Sequence, residues 1–584
     1  MSKQIKESQE IEIKRHSLSH VLAVAVQKMF PDAKLGIGPA IDNGFYYDFE
    51  LPRSLIPEDL KTITSNMKKL IAGNAKFERY EMPADEAFKK LENEPYKQEL
   101  INDLKNKGET NVSFYKTGDF EDLCAGPHVA STKDLPPFKL TSIAGAYWKG
   151  SEENIMMQRV YGLAFSTQSE LDDYIKMQEE AKKRDHRKLG KELDLFVFSD
   201  LIGPGLPLFT PKGTVILDEL QKHIENLCRK HGFQKVSTPH LAKLELYEIS
   251  GHKQKFGDEL FHVKSHFKQD YVLKPVQCPH QIQIYASRPR SYRDLPIRYM
   301  ESNKQYRDEK PGEISGLKRV IAITVEDGHT FCTKAQVKTE IITLVKLIQD
   351  FYDSLGLLKT LKVTLSVRDY SSPEKYIGEP ADWYECEKIL QEVSDKMRLE
   401  AKRCEGEAAL YGPKLDFMFK DALGNEIQIP TVQIDFATPK RFNLTYTDKH
   451  GKDAIPVMVH RAILGSYERF LVLLIEHFAG ALPTWLSPIQ VKILPIADRH
   501  NEYAEKIKAT LGDIRTEVDD RTESIGKKIR EAEMQKIPYM LIVGDKEVEE
   551  NKVAVRRYGK GDLGSKSVEE FAKEILEEIQ ERSA

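Results

Sequence analysis

Pro456-Val-Met-Val-His-Arg-Ala-Ile-Leu-Gly-Ser-Tyr-Glu-Arg-Phe470 is the stretch that organises the rest of the chain. It reads as the end of a strand running into a helix, with Ile463, Phe470, Leu474 and Phe478 forming a broad apolar stripe on that helix. Gly465 and Arg469 stand four positions apart, a spacing that puts two residues on one helical face. A residue without a side chain beside a cation suits a nucleotide pocket: the ring can approach the backbone while the guanidinium holds a phosphate. His460, just upstream, is a candidate metal ligand on the same wall.

The chain has 584 residues, enough for about three or four domains. Its hydrophobic content of 40% and charged content of 30% are those of a soluble globular protein. No apolar run reaches the ~20 residues that span a bilayer, and the opening MSKQIKESQEIEIK lacks the apolar core of a signal peptide. The six cysteines lie far apart, which argues against a disulfide framework and for a reducing, cytoplasmic compartment. With a net charge of −4, any nucleic-acid site must be local.

An α+β multidomain organisation follows from the patterning. Residues 1–168 mix strand-like pieces, such as Gly44–Phe49, with helices, and predict an α/β domain. A polar connector helix is expected over 169–184, with Ser169 as N-cap and Asp172 three later. Residues 185–483 hold an amphipathic helix at 214–230, stopped by Gly232, and strand-like runs at 270–274, 297–301, 319–325, 415–419 and 427–436. Without regular βαβ alternation, these predict an antiparallel sheet with helices packed on it. Residues 487–584 carry short apolar strands at 491–497 and 539–543 and a helix marked by Ile525, Ile529 and Ala532, a small α/β unit.

Neither a P-loop nor a GxGxxG fingerprint occurs, so a nucleotide would have to be gripped by arginines. Arg307, in Tyr306-Arg-Asp-Glu309, follows a strand and precedes the Gly312/Gly316 loop. With Arg469 it could hold a bent triphosphate, while Glu309 accepts from an adenine amino group or a neighbouring donor.

These residues carry a resemblance. Arg307-Asp-Glu309 is similar to motif 2 of the class II aminoacyl-tRNA synthetases, Gly465 and Arg469 to motif 3 in its threonyl version, and the 214–232 helix with Pro239 to motif 1, the dimer-forming element. The resemblance, to the bacterial type, covers nearly the whole chain. It implies an N-terminal editing domain, a class II antiparallel-sheet catalytic domain and a C-terminal anticodon-binding domain. The implied activity is ATP-dependent ligation of L-threonine to tRNA(Thr) through threonyl-adenylate by a homodimer. Arg307 would hold the α-phosphate and the substrate carboxylate and Arg469 the γ-phosphate. Glu309, Arg319, Gln428, Thr431 and Gly465 complete the implied ATP site, with Mg2+ accompanying the nucleotide.

Cys278, His329 and His460 are too widely separated for spacing to say anything, but each matches a zinc-binding position of the family. Three ligands leave a tetrahedral position open. Threonine and valine are nearly isosteric and an apolar pocket separates them poorly, whereas a zinc ion taking amino and hydroxyl groups does so directly. Asp327 would accept from that hydroxyl, and Tyr411 and Gln433 would contact the amino group.

His16-Ser-Leu-Ser-His20 sets two imidazoles four apart on a helix, and Cys124-Ala-Gly-Pro-His128 adds a thiol and a third imidazole, with Asp122 nearby. The residues by themselves fit a structural zinc site or buried histidines; HExxH is ruled out by Ser17. The paired motifs resemble the editing domain shared by threonyl- and alanyl-tRNA synthetases, which implies hydrolysis of seryl-tRNA(Thr). At the other end, Glu547 and Arg556 match base-contacting positions.

The chain departs from the family at several places. Pro279-His280-Gln281 follows Cys278, Tyr306 and Asp308 flank the motif 2 arginine, Val325 replaces a glutamine, Ile429-Pro430 a Cys-Gly pair, and Thr522 an asparagine. The family's small TGS domain is not seen ahead of the editing region. Two rivals stand beside this reading: a non-catalytic tRNA-binding paralogue, and a relative that charges serine or proline.

Overall fold

The structure, a computed structural model, describes residues 3–582 and divides into two compact units, Met1–Gln178 and Glu179–Ala584. In the first unit, helix α1 (Lys3–Met29) buries Leu18, Val21, Leu22, Ala25 and Val26 against Phe45, Tyr47 and Phe49. Those aromatics belong to the strand Gly44–Glu50, which pairs antiparallel with Met156–Ala164, itself paired with Phe138–Tyr147. A second antiparallel sheet joins Phe77–Pro83, Asn111–Thr117 and Phe120–Leu123. With its strand pairs antiparallel, this unit is α+β and not the α/β expected from the sequence.

The connector helix runs Gln168–Arg184, and the boundary between the units falls inside it. Ser169 is not its cap. Thr167 Oγ1 accepts from the Glu170 amide at 3.2 Å and the Glu170 carboxylate accepts from the Thr167 amide at 3.1 Å, a reciprocal capping box two residues earlier than Ser169 and Asp172 suggested.

In the second unit the expected regions 185–483 and 487–584 fall together. Helix α2 (Pro211–Lys230), capped by Thr210, buries Ile216, Leu220 and Ile224, and Gly232 just beyond it takes a φ of +80°. Helix α3 is Cys278–Ala286. The main sheet has eight strands. Its inner part contains β1 (Ile297–Tyr306), β2 (Ala322–Cys332), β3 (Lys414–Lys420), β4 (Glu426–Asp435) and β5 (Val457–Ser466). The order is Gln234–Lys235, β1, β2, β5, β4, β3, Lys362–Val367, Lys402–Glu405, antiparallel except at its two edges, which pair parallel. Helices Val337–Asp353 and α4 (Tyr467–His477) cover one face.

Two strands differ from their sequence reading. β1 continues past Glu301 to Tyr306, because polar residues after Glu301 still find a full ladder opposite Ala322–Glu326. β2 starts at Ala322 and runs to Cys332, beginning three residues later and ending seven residues later than the expected 319–325. The C-terminal sheet sets Thr516–Val518, Val491–Pro495 and Tyr539–Val543 parallel, followed by antiparallel Lys552–Arg557 and Gly561–Ser567. Among the described residues no helix is long and apolar enough to cross a membrane.

Candidate functional site

The opening stretch is now seen as β5 followed by α4. Gly465 lies in the strand, so it does not share a helical face with Arg469, and Ile463 belongs to the strand as well. β5 lies between β2 and β4, and its registers bring His460 directly opposite His329 on one side and Gln433 on the other. Opposed residues of an antiparallel pair have Cβ atoms only ~4.5–5.5 Å apart. Cys278, in the first turn of α3, completes a buried trio whose ligand atoms all lie within 4.8 Å of one another.

The tautomers follow from the outer hydrogen bonds. His329 Nδ1 lies 2.7 Å from Gln281 Oε1, so it carries the proton and leaves Nε2 as a lone pair. That Nε2 is buried with no partner. His460 Nε2 donates to Asp435 Oδ2 at 2.9 Å, leaving Nδ1 free. Histidines tied down on their outer nitrogen and bare on the inner one are how metal-ligating imidazoles are held. Burial, then the neighbouring His460 and His252, push His329 well below its ordinary value, and burial drives the Cys278 thiol up. A neutral imidazole is a ligand as it stands, and a divalent cation would compensate a thiolate there. The residues therefore fit a zinc ion.

Around the trio, Asp327 Oδ1 accepts from the Gly328 amide at 2.9 Å and lies 3.8 Å from His329 Nε2; burial pushes its carboxyl up to about 7. The Tyr411 ring stacks on His460 at 4.9 Å and its hydroxyl donates to Gln433 at 2.6 Å. Gln433 Nε2 reaches Thr431 Oγ1 at 3.3 Å, and Thr431 and Gln428 both donate to Asp416. The side chains of Gln428 and Thr431 are thus engaged with Asp416, a residue the sequence reading missed. His252 was missed too: its Nε2 stands 3.8 Å from Cys278 Sγ.

The arginines expected at the nucleotide do converge. Burial lowers the Arg307 and Arg469 guanidinium values, and each is lowered further by the charge of Arg319. Arg307 packs over Phe256 at 4.9 Å, and its buried Nε has no partner. Glu309 is held by Arg319, Nε to Oε2 at 2.6 Å, and Glu313 takes the other side of the same guanidinium. Converging cations that repel one another, with an idle buried donor on Arg307, form an anion site. Gly465 borders it with a φ of +70°, and a Cβ there would press at 3.3 Å on Ile429.

A buried pair absent from the sequence reading fixes the register of these strands. β5 bulges where it passes β2, and Glu326 Oε2 accepts the amides of Ile463 (3.1 Å) and Leu464 (3.4 Å) that the bulge frees. Its other oxygen is bonded by Arg461, which is fully buried and lies over Phe233 at 4.9 Å. Gly328 is glycine for this reason: a Cβ would meet the Arg461 guanidinium at 2.6 Å.

In the N-terminal unit, His16, His20, Cys124 and His128 form a second cluster with ligand atoms within 4.8 Å of each other. Cys124 Sγ lies 3.4 Å from His16 Nε2 and 3.3 Å from His128 Nε2. Ser17 orients His128: its hydroxyl donates to Ile13 O, so the 3.0 Å contact to His128 Nδ1 is one it accepts. Burial lowers all three histidines and pushes the Cys124 thiol up to about 11, so the cluster is neutral near pH 7. Asp122 lies outside the ligand set. It accepts from Tyr47 at 2.5 Å and pairs with the buried Lys97 at 2.6 Å, neither of which the sequence reading named. A cleft of about 530 Å³, lined by Glu12, His16, Pro39, Gly126 and Pro127, opens beside His16.

At the C-terminal end, Glu547 accepts from the Gly544 amide at 2.9 Å and caps the helix Asp545–Glu550, so its carboxylate has a structural task. Arg556 keeps a buried, unpartnered Nε.

The family model described as tRNA synthetase class II core domain (G, H, P, S and T) matches residues 261–478. The anticodon binding domain matches 490–578, and the threonyl and alanyl tRNA synthetase second additional domain matches 112–161. The threonine–tRNA ligase of Clostridium tetani is 47% identical over 99% of this chain and 91% of the relative. That of Halalkalibacterium halodurans is 46% identical over 97% and 89%. Among solved structures, the RNA binding domain of threonyl-tRNA synthetase from Cryptosporidium parvum Iowa II superposes with a TM-score of 0.63 at 33% identity, covering 67% of this chain and 98% of that one. The prolyl-tRNA synthetase of Cryptosporidium parvum, 17% identical with a TM-score of 0.52 over 68% of this chain and 75% of that one, shares the fold. With near-half identity along almost its entire length, this chain belongs to the threonine–tRNA ligase family of the class II tRNA synthetases.

Proposed function

We propose that the chain activates L-threonine with ATP, transfers it to tRNA(Thr), and hydrolyses seryl-tRNA(Thr) at the N-terminal cluster. The observation that carries the reading is the pairing of two bare imidazole nitrogens and a thiol with a set of converging, mutually repelling arginines. Zinc held by Cys278, His329 and His460 would supply a Lewis acid that an amino alcohol satisfies with two groups and valine with one. Asp327 accepts from the substrate hydroxyl, and Tyr411 and Gln433 turn toward its amino group. Arg307 holds the α-phosphate and the substrate carboxylate, Arg469 the γ-phosphate, with magnesium arriving on ATP. The carboxylate attacks the α-phosphorus in line, and pyrophosphate leaves; positioning and charge neutralisation govern that step. Gly465, Glu309 and Arg319 shape the nucleotide pocket, and Glu547 and Arg556 belong to the anticodon-reading end. The active form is a homodimer through α2, working in the cytoplasm.

Serine also presents an amino and a hydroxyl group and lacks only a methyl, a difference of ~1–3 kcal/mol, so mischarging has to be corrected. His16, His20, Asp122, Cys124 and His128 position water on the seryl ester. Because the Cys124 thiol stays protonated, it orients and does not attack.

Pyrophosphate exchange with a panel of amino acids, combined with metal analysis, tests the reading. Threonine should drive exchange, with serine a minor second, and one zinc should be lost in a Cys278→Ala variant. Exchange driven by proline, or no exchange at all, would refute it. Deacylation of seryl-tRNA(Thr) that is as fast in a His16→Ala, Cys124→Ala double variant would remove the editing assignment alone.

A further inference from the structure

Beside the Arg307 segment stands a hairpin whose tip neither the ATP site nor the metal site uses. Strands His262–Lys264 and Asp270–Leu273 pair antiparallel, Lys264 opposite Asp270, and Leu241–Ala242 adds a third strand. Its base is bonded to the Arg307 segment: the Asp308 amide donates to Glu259 O at 2.9 Å and the Tyr306 amide to Lys274 O at 2.9 Å. At the far end, Ser265 to Gln269 form a built turn. The Ser265 amide donates to Gln269 O, the Gln269 amide to Ser265 Oγ, and the Lys268 amide to Ser265 O, with Lys268 at a φ of +58°.

That turn holds Phe267 85% exposed, with the His266 ring edge-on to it at 5.5 Å. Leu201 is the one large apolar residue more exposed than it among the exposed hydrophobics. The flanking side chains are two lysines and two imidazoles: His262, Lys264, His266 and Lys268 are exposed, and no acid lies between residues 262 and 269. A flat aromatic face in water, flanked by two lysines and bonded at its root to the residues on either side of Arg307, has the chemistry of a platform for unpaired bases. Three strand residues at ~3.3 Å each carry the tip about 10 Å beyond the strand base, the span of about three stacked nucleotides at ~3.4 Å each.

We propose that the hairpin His262–Leu273 is a stacking and phosphate-binding arm for the single-stranded 3′ end of tRNA, with Phe267 stacking on a base and Lys264 and Lys268 contacting the backbone. This deepens the ligase reading and rests on it for the identity of the RNA. The strand root delivers the terminal nucleotide toward Arg307 while the arm holds the nucleotides before it. Stacking tolerates any base, so the arm adds affinity without sequence choice.

The test uses the full-length chain and variants F267A, F267Y and K264E/K268E. The dissociation constant for tRNA(Thr) transcript is measured by fluorescence anisotropy, together with aminoacylation and threonine-dependent pyrophosphate exchange. F267A should weaken tRNA binding about tenfold and raise the KM for tRNA in parallel, F267Y should restore both to within about twofold, and K264E/K268E should weaken binding and flatten its salt dependence. Exchange should stay unchanged in all three. A transcript lacking its unpaired 3′ nucleotides should bind the parent and F267A equally. Tight binding and unchanged KM in F267A would overturn the proposal, as would equal loss on the truncated transcript, which would place the arm on the duplex. A parent inactive in exchange but binding tRNA through Phe267 would overturn the ligase reading and leave the arm standing.

Discussion

Gly465 shows what a single residue is doing here and why its first explanation was incomplete. A small residue facing a nucleotide is one reason for glycine; the structure adds that the backbone sits at a φ of +70° with Ile429 at contact distance. Both penalties apply to any side chain. Gly465→Ala should therefore cost ~1–3 kcal/mol of strain and raise the KM for ATP more than that for threonine. Steady-state exchange kinetics with each substrate varied will show it, and an unaltered ATP KM would mean the ring lies elsewhere. At this scale the sequence named the candidate ligands but not their supports. Cys278, His329 and His460 carry recognisable neighbours, whereas Gln281, Asp435, Glu326 and Asp416 are ordinary polar residues whose partners lie on other strands and helices. Nothing local marks a carboxylate that accepts from a bulge.

Among elements, α2 was legible from residue 214 because its apolar residues repeat with helical spacing and Gly232 stops it, while its first turn, capped by Thr210, was not. Its buried His223 was not singled out. The ring is sandwiched between Phe351 and Trp485, bonded to Ser354 at 2.8 Å and Arg582 at 2.6 Å, and burial lowers it to about 3. A folded-state value below the unfolded ~6.5 means that the unfolded chain takes up the proton first as pH falls. Its contribution is full above about pH 6.5 and declines toward pH 3, by at most ~1.4 kcal/mol per unit. His223→Gln should remove this limb. Urea unfolding midpoints between pH 4.5 and 7 are expected to slope less steeply in the variant, and equal slopes would refute the buried neutral histidine. The strand limits of β1 and β2 show the opposite case, where a ladder partner supplied from elsewhere extends a strand beyond any local signal.

At the scale of the whole molecule, the N-terminal unit has its own core, Leu18, Val21, Leu22, Phe45, Tyr47, Phe49, Ile63 and Met67, and its own histidine cluster. A fragment of residues 1–178 should fold alone. Circular dichroism should show one cooperative thermal transition, and a featureless melt would mean that the core depends on the rest of the chain.

The amino-acid sequence by itself determined the composition of each layer, the helix over 214–230, the paired histidine motifs and the arginines, because these are written in periodicity and in short recognisable strings. Only the tertiary structure decided that His329 faces His460, that Glu309 is held by Arg319, that Gly465 belongs to a strand and that Phe267 stands in water at the end of a built turn. Register, bulges and ion pairs across a sheet join residues separated by tens to hundreds of positions. Their energy resides in the pairing, which no local pattern encodes.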